Sequence, residues 1–231
     1  MRIRGSAAAF LLCLSPFAAY GEERAAPPSP PDAVRSADLP FELPEIGKWM
    51  IAADGGIASW LGMKYRGKDL LEPINVVIYD GIALTGDEAY ARLEAAGAAV
   101  EFEMREGHST GYAALVGGSL YGQLPQGKGK AISDASFELA NNHGRLFGPV
   151  RWKNGWLFTA AFSRESPDLV SKVKHHFASF DRARDAFAWA LDKEGTYKVA
   201  GFIPLGNAVI GSSEIGTGDH DGLAIYLSAI K

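Results

Sequence analysis

From Ile46 onward the chain alternates between the two hydrophobic periods that mark strands and helices. Ile74-Asn75-Val76-Val77-Ile78 is a short β-branched run with the pattern of a buried strand, and Asp80-Gly81 marks the turn after it. Thr85 and Glu88 then form a capping box, and Ala89, Leu93 and Ala96 make one apolar helical stripe. Gly97 is the expected C-terminal cap. Val100, Phe102 and Met104 alternate with Glu101, Glu103 and Arg105, which predicts a half-exposed strand. Residues 112–116 and 120–124 predict strands on either side of Gly117-Gly118, and 133–142 fits either a short helix or irregular structure. Large aromatics alternate with small residues over 156–162, the pattern of a strand with a core face. Phe180, Ala183, Phe187 and Leu191 share one side of a second helix, capped by Ser179 or Asp181 and ended by Gly195. With Trp49-Met50-Ile51 as a first strand and 197–203 and 223–227 as closing ones, the pattern predicts an α+β fold. It is read as a single domain over 45–231, a mixed or antiparallel sheet of about seven strands packed with two or three helices.

The N-terminal part changes this picture. Arg2 and Arg4, an apolar run over 7–19 and the small-residue sequence Ala19-Tyr20-Gly21 read as a signal peptide over 1–21, cleaved after Gly21. A membrane anchor is the competing reading, but the run is short for a span and ends in Pro16 and small residues. Six prolines between Pro27 and Pro44 mark 22–44 as an extended linker. The expectation is a periplasmic or secreted protein with no membrane span in the mature chain. Cys13 is the one cysteine and lies in the signal, so the mature chain excludes disulfides and thiol chemistry. Loss of Arg2 and Arg4 leaves 21 basic against 27 acidic residues, a net charge of −6, which argues against nucleic acid as a partner.

Several motifs suggest chemistry and are weakened by their context. Gly107-His108-Ser109-Thr110-Gly111 fits the serine-hydrolase elbow, but that elbow needs a buried strand before it and a long helix after it. The preceding strand here is studded with glutamates, so a hairpin turn is the expected structure. The segment 122–129 is close to a phosphate-binding loop but has Gly129 where a magnesium-holding hydroxyl is required. Asp219-His220-Asp221-Gly222 packs ligand-type residues together and reads as a solvated turn between strands.

The stretch 141–185 is the main candidate. It gathers three of the five histidines with arginines and carboxylates. His143 and His176 could be ligands, acid/base groups or phosphate donors, with Arg145, Arg164 and Arg184 as anion clamps. Asp181, Arg184 and Asp185 share a helix face turned away from Phe180, Ala183 and Phe187. The alternative is a brace, in which Asp181 caps the helix, Asp185 pairs with Arg182 and the histidines hold the fold. No spacing matches a known zinc motif, and no cofactor follows from the sequence.

These residues resemble the LssY C-terminal domain family of bacterial envelope-associated proteins over about 70–230. The resemblance rests on Glu72-Pro73-Ile74-Asn75-Val76-Val77-Ile78, Ala95-Ala96-Gly97, Asn142-His143-Gly144-Arg145-Leu146-Phe147 and Ala160-Ala161-Phe162-Ser163-Arg164-Glu165. His175-His176, Asp181 through Asp185 and Asp221-Gly222 complete it. Ala98, Gly144 and Glu165 depart from the family's usual aromatic, branched residue and aspartate. The family has no settled activity. Its members often accompany lipid-phosphate phosphatase-like membrane domains. The resemblance implies that His143, Arg145, His176, Asp181, Arg184 and Asp185 act together.

The expected function is recognition of an anionic envelope component, a phosphorylated lipid or glycan, through this His/Arg/Asp cluster. A phosphoric-ester hydrolase using the same cluster is the alternative. The third reading is a structural accessory to an envelope protein partner.

Overall fold

A computed structural model describes residues 42–167 and 175–230. The predicted signal peptide, cleavage site and most of the linker lie outside these residues. Of the linker, Pro44 is buried, Leu43 packs on the core, and the Glu42 carbonyl accepts from Trp152 Nε1 at 2.9 Å. No helix among the described residues is long and apolar enough to cross a membrane.

The fold is richer in β-structure than the sequence pattern predicts. Strands take 49% and helices 15% of the described residues, so the α+β expectation of about seven strands with two or three helices gives way to a β-rich fold. In chain order the elements are β1 (Ile46–Ile51), β2 (Ser59–Tyr65), β3 (Lys68–Leu71), β4 (Val76–Asp80) and α1 (Gly86–Ala99). Then follow β5 (Glu103–Glu106), β6 (Ala113–Val116), β7 (Ser119–Leu124), β8 (Lys130–Ser133), β9 (Asn141–Trp152), β10 (Gly155–Pro167) and β11 (His175–Ser179). The chain closes with α2 (Asp181–Glu194), β12 (Tyr197–Pro204), β13 (Ile215–Gly216) and β14 (Leu223–Ala229).

The long β9–β10 hairpin is the spine of an eleven-stranded sheet. Its length lets each strand serve two neighbours on its outer edge. β9 pairs with β8 through His143 and Gly144, and with β7 through Leu146 and Phe147. β10 pairs with β4 through 156–160 and with β11 through 164–167. Beyond β4 lie β14, its parallel neighbour, and then β12. β13, β3 and β2 form a separate three-stranded sheet.

Period-two alternation divides the hairpin into two faces. On one, Leu146, Phe158, Ala160 and Phe162 meet Leu93, Phe187 and Leu191 of the two helices in the main core. On the other, Phe147 and Ala161 pack with Met50, Ala58 and Ile74. The polar residues continue this second face toward the β8 and β11 end.

Both helices begin with hydrogen bonds close to those expected. Thr85 Oγ1 accepts the Glu88 amide at 3.1 Å, while the Glu88 carboxylate accepts from Leu84 N at 2.8 Å. Gly97 does not cap α1, because the helix runs on to Ala99. Its lack of a Cβ is instead a packing requirement, since one would stand 2.7 Å from the Phe102 carbonyl oxygen. Ser179 Oγ accepts the Arg182 amide at 2.9 Å at the start of α2, and Gly195 ends α2 in the left-handed conformation.

Candidate functional site

The cross-strand register of β9 and β10 sets Ser163 beside His143, Glu165 beside Asn141 and Ala161 beside Arg145. Asn141, His143, Arg145, Ser163 and Glu165 therefore stand on one face, and all five are buried. β11 adds His175, because its pairing with β10 turns His175 and Phe177 toward the Glu165 side and leaves His176 exposed. The loop between β5 and β6 brings His108 and Ser109, and the entry to β4 supplies Glu72.

Glu165 is the centre of the group. Its Oε1 lies 3.3 Å from His143 Nε2 and its Oε2 lies 2.9 Å from His175 Nδ1. His143 Nε2 also lies 3.3 Å from Ser163 Oγ, and its Nδ1 lies 2.9 Å from Asn141 Oδ1. The His108 ring packs on the His143 ring with centroids 4.9 Å apart. Arg145 donates from Nη2 to Ser109 Oγ at 2.9 Å and covers the Tyr112 ring with its guanidinium carbon 4.7 Å from the centroid. Its nearest carboxylate among the described ion pairs is Glu72, at 3.7 Å. Arg145 Nε and His108 Nε2 are buried and have no hydrogen-bond partner among the described residues. Phe137, whose ring centroid is 5.9 Å from that of His175, lines an open groove with Glu103, Glu106 and Glu138.

Burial dominates the electrostatics. It pushes Glu165 up to about 7, against the lowering pull of Arg145 and with the help of Glu72. Glu72 is raised for the same reason, with Arg145 opposing. Burial, Arg145 and the neighbouring histidines hold His143 well below the ordinary histidine range, and burial with Arg145 and His175 takes His108 down to about 4. At neutral pH His143 and His108 are uncharged imidazoles beside a single buried guanidinium.

Asp181, Arg184 and Asp185 belong to a second group, at the start of α2. Arg184, 2% exposed, donates from Nη1 to Asp221 Oδ1 at 2.7 Å and to the Leu223 carbonyl at 2.9 Å. Its Nε donates to Asp185 Oδ1 at 2.8 Å, and its Nη1 lies 3.2 Å from Asp181 Oδ1. Burial would lower its pKa, and the contacts with Asp221, Asp181 and Asp185 outweigh that and raise it. Asp185 pairs with Arg184 rather than Arg182. The 219–222 segment connects β13 and β14 with Asp219 and Asp221 exposed, as a turn between strands should be, but it turns His220 inward. The His220 side chain is fully buried, with Nε2 2.8 Å from Asn207 Oδ1 and Nδ1 3.3 Å from Asp181 Oδ1. Asp219 accepts the Phe180 amide at 2.8 Å and the Ser179 hydroxyl. Asp181, His220 and Asp221 are close enough to suit a metal ion, but the Arg184 guanidinium already supplies the cation between the two carboxylates.

Of the six residues predicted to act together, the structure thus joins His143 with Arg145, and Asp181 with Arg184 and Asp185. His176 is exposed, and its neighbour His175 takes the place beside Glu165. Glu72, His108, Ser109 and Glu165 complete the first group without having been in the predicted set. Period-two parity along β9 and β10 is the sequence signal that could have selected Glu165. Nothing local could have selected Glu72 or His108, which arrive from separate strand connections. Arg164 does not join the group as a clamp, and its Nη1 donates to Asn142 Oδ1 at 3.0 Å. The 107–111 motif forms a loop between two strands, without the strand-to-helix context of a hydrolase elbow.

No known protein family, curated protein or solved structure matches this chain.

Proposed function

We propose that the domain binds a small oxyanion-bearing ligand, of the phosphorylated lipid or glycan class, at Arg145. The observation that carries this reading is the incomplete pairing of a buried guanidinium. Arg145 is 4% exposed, its Nε donates to nothing among the described residues, and Glu72 at 3.7 Å is beyond hydrogen-bond reach. Buried arginines ordinarily have their donors satisfied, and the fork geometry of guanidinium suits phosphate oxygens. Ser109 Oγ, on the exposed side of Arg145, supplies a further polar contact for such a ligand. The resemblance to the LssY C-terminal domain family supports joint action of His143 and Arg145. An exported location would make the ligand an envelope component, with an envelope protein as a further partner.

A thermal-shift titration with inorganic phosphate, glycerol phosphate and a sugar phosphate tests this. Wild-type protein gains stability with at least one of them, as a ligand that binds the folded state must produce. The gain is lost in Arg145→Lys, which keeps the charge but not the fork, and is reduced in Ser109→Ala. No response in the wild type to any of the three contradicts the reading.

Phosphoric-ester hydrolysis at the same place is the second reading. It is favoured by His143 Nε2, an imidazole nitrogen within 3.3 Å of Ser163 Oγ and Glu165, where it could pass a proton to or from a bound ester. Turnover of a generic phosphodiester that disappears in Ser163→Ala supports it, and binding without turnover leaves a recognition domain.

A further inference from the structure

One rim of the large sheet gathers exposed apolar side chains that neither the core nor the Arg145 site uses. The turn of the β9–β10 hairpin, residues 153–154, stands at its centre. Trp156 is opposite Asp80 in the β10–β4 pairing, so the loop after β4 emerges beside this turn. That loop carries Ile82 at 44% and Leu84 at 84% exposed. β14 is parallel to β4 with Ser228 beside Tyr79, which brings Ile230, 54% exposed, out at the same edge. On the other side β7 is antiparallel to β9 with Gln123 opposite Phe147, so Leu120, 61% exposed, lies toward Trp152. These are four of the eight large hydrophobic side chains exposed among the described residues, and they follow the strand order β7, β9, β10, β4, β14. Single exposed apolar residues are ordinary on a protein surface, whereas a row of them on adjacent loop tips marks a contact surface.

The tryptophans of this rim indicate the kind of surface it meets. Trp152 and Trp156 are both half-buried, and each carries a cation over its ring. Lys153 Nζ lies 5.5 Å from the Trp152 centroid and the Arg151 guanidinium carbon 5.0 Å from that of Trp156. Trp152 Nε1 is held by the Glu42 carbonyl, where the proline-rich linker joins the domain. Tryptophan beside lysine and arginine, with aliphatic side chains next to them, is the composition that settles between lipid headgroups and acyl chains. Exposed charges along the rim have both signs, Arg151 and Lys153 against Glu42, Asp87 and Glu88. Such a mixture complements the paired phosphate and ammonium of a zwitterionic headgroup and gives no net attraction to an anionic surface. Leu84 and Leu120 stand on separate loops, so each can enter a fluid layer without a matched pocket.

We propose that this rim is a peripheral membrane-binding surface, resting on a zwitterionic phospholipid bilayer with Ile82, Leu84, Leu120 and Ile230 in the interfacial layer. Arg145 lies back along β9 from Trp152, roughly 23 Å away at the rise of an extended strand. The rim and the oxyanion site are therefore separate, and either can fail without the other.

Flotation with phosphatidylcholine vesicles tests the proposal. The chain freed of residues 1–21 is used, the form that the predicted cleavage leaves, because the apolar run over 7–19 would bind lipid by itself. Wild-type protein floats with the vesicles. In the Leu84→Glu/Leu120→Glu double variant the partition coefficient falls by about tenfold or more, since two leucines no longer leave water. Both side chains are exposed, so the variant keeps its fold, which circular dichroism checks. Ile210→Glu is the control. Ile210 is 92% exposed in the loop after β12, and the pairing of Pro204 with Leu223 puts that loop at the opposite end of β14 from Ile230. Its partition is unchanged, and replacing part of the phosphatidylcholine by phosphatidylglycerol does not strengthen wild-type binding. No flotation of the wild type overturns the proposal, as does equal partition by wild type and the double variant. An equal loss in Ile210→Glu, or binding to phosphatidylglycerol vesicles alone, overturns it too. A dimer in sedimentation equilibrium that the double variant loses, without flotation of the wild type, would assign the rim to a second copy of the chain instead. Phosphate binding is the same in wild type and the double variant, which keeps the outcome separate from that of the oxyanion reading.

Discussion

Asn141 Oδ1 holds His143 Nδ1 at 2.9 Å, and this one contact decides what the imidazole offers to the rest of the buried cluster. The two side chains lie two residues apart on the same face of β9, so the strand itself sets their relation. Asn141→Leu removes the acceptor while keeping a side chain of similar size. We expect the ring to lose its fixed tautomer. Nitrogen-15 chemical shifts of the His143 ring check the tautomer. An unchanged Nδ1–H tautomer in the variant would contradict this account of Asn141.

Arg184 should be a stability residue. It is buried among Asp181, Asp185 and Asp221, and removing one partner of a buried ion group leaves uncompensated charge. Arg184→Met is expected to destabilise the fold by about 3–5 kcal/mol in urea denaturation. Phosphate response should persist under conditions where the variant is folded.

Asp80 predicts a pH dependence of stability. Burial pushes its carboxyl up, but the amides of Ala83 and Ile82 and the Arg92 guanidinium outweigh this and hold it below the ordinary aspartate range. A carboxylate with a depressed folded-state pKa contributes stability above its unfolded value, near 3.9, and loses that contribution as pH falls through the folded value. The acid limb of the stability curve should therefore steepen below about pH 4. Asp80→Asn should flatten that limb and lower stability at neutral pH, as measured by urea midpoints from pH 2 to 7. The Tyr197 hydroxyl, which donates to Asp80 Oδ2 at 3.2 Å, loses the same charged acceptor.

Gly97→Ala separates helix propensity from packing. Alanine is favoured over glycine in a helix by about 1 kcal/mol. Here the added carbon would meet the Phe102 backbone oxygen at 2.7 Å and Ile132 Cδ1 at 2.9 Å. Backbone cannot move aside as a side-chain end can, so a net loss of about 1–3 kcal/mol is expected in chemical denaturation. A variant more stable than the wild type would contradict the packing explanation.

How much of this was legible in the sequence depends on the length and period of each element. The apolar faces of α1 and α2 repeat over several turns, and Leu93 and Phe187 fall in the core where that period places them. β4, β6, β7 and β14 also carried a signal. β3, β8 and β13 did not, because they are only two to four residues long, and neither did β2. In β2, Leu61 and Gly62 adopt positive φ within the strand and interrupt its alternation. Gly97 misled because a glycine near a helix end looks the same whether it caps the helix or admits a neighbour. At the site, His143 and Arg145 stood out as residue types, but β9, the strand that carries them, was not legible, since 133–142 fitted a short helix or irregular structure and glycines and Pro149 interrupt the rest. The choice between His175 and His176 was not legible either, since it depends on the pairing of Pro167 with His175 across two strands. Grouping Asp181, Arg184 and Asp185 with His143 failed for a related reason. α2 lies on the opposite face of the sheet, which sequence proximity cannot reveal. Gly144 in place of a branched residue also has a local cause, because any Cβ there would lie 2.6 Å from the Phe162 ring.

The most direct test of the central claim is calorimetric titration of inorganic phosphate into wild type, Ser109→Ala and Arg145→Lys. An oxyanion site at Arg145 predicts saturable binding in the wild type, weakened in Ser109→Ala and abolished in Arg145→Lys, while folded Arg184 variants bind as the wild type does. Binding that is equal in the wild type and Arg145→Lys, or is lost with Arg184 instead, would contradict it.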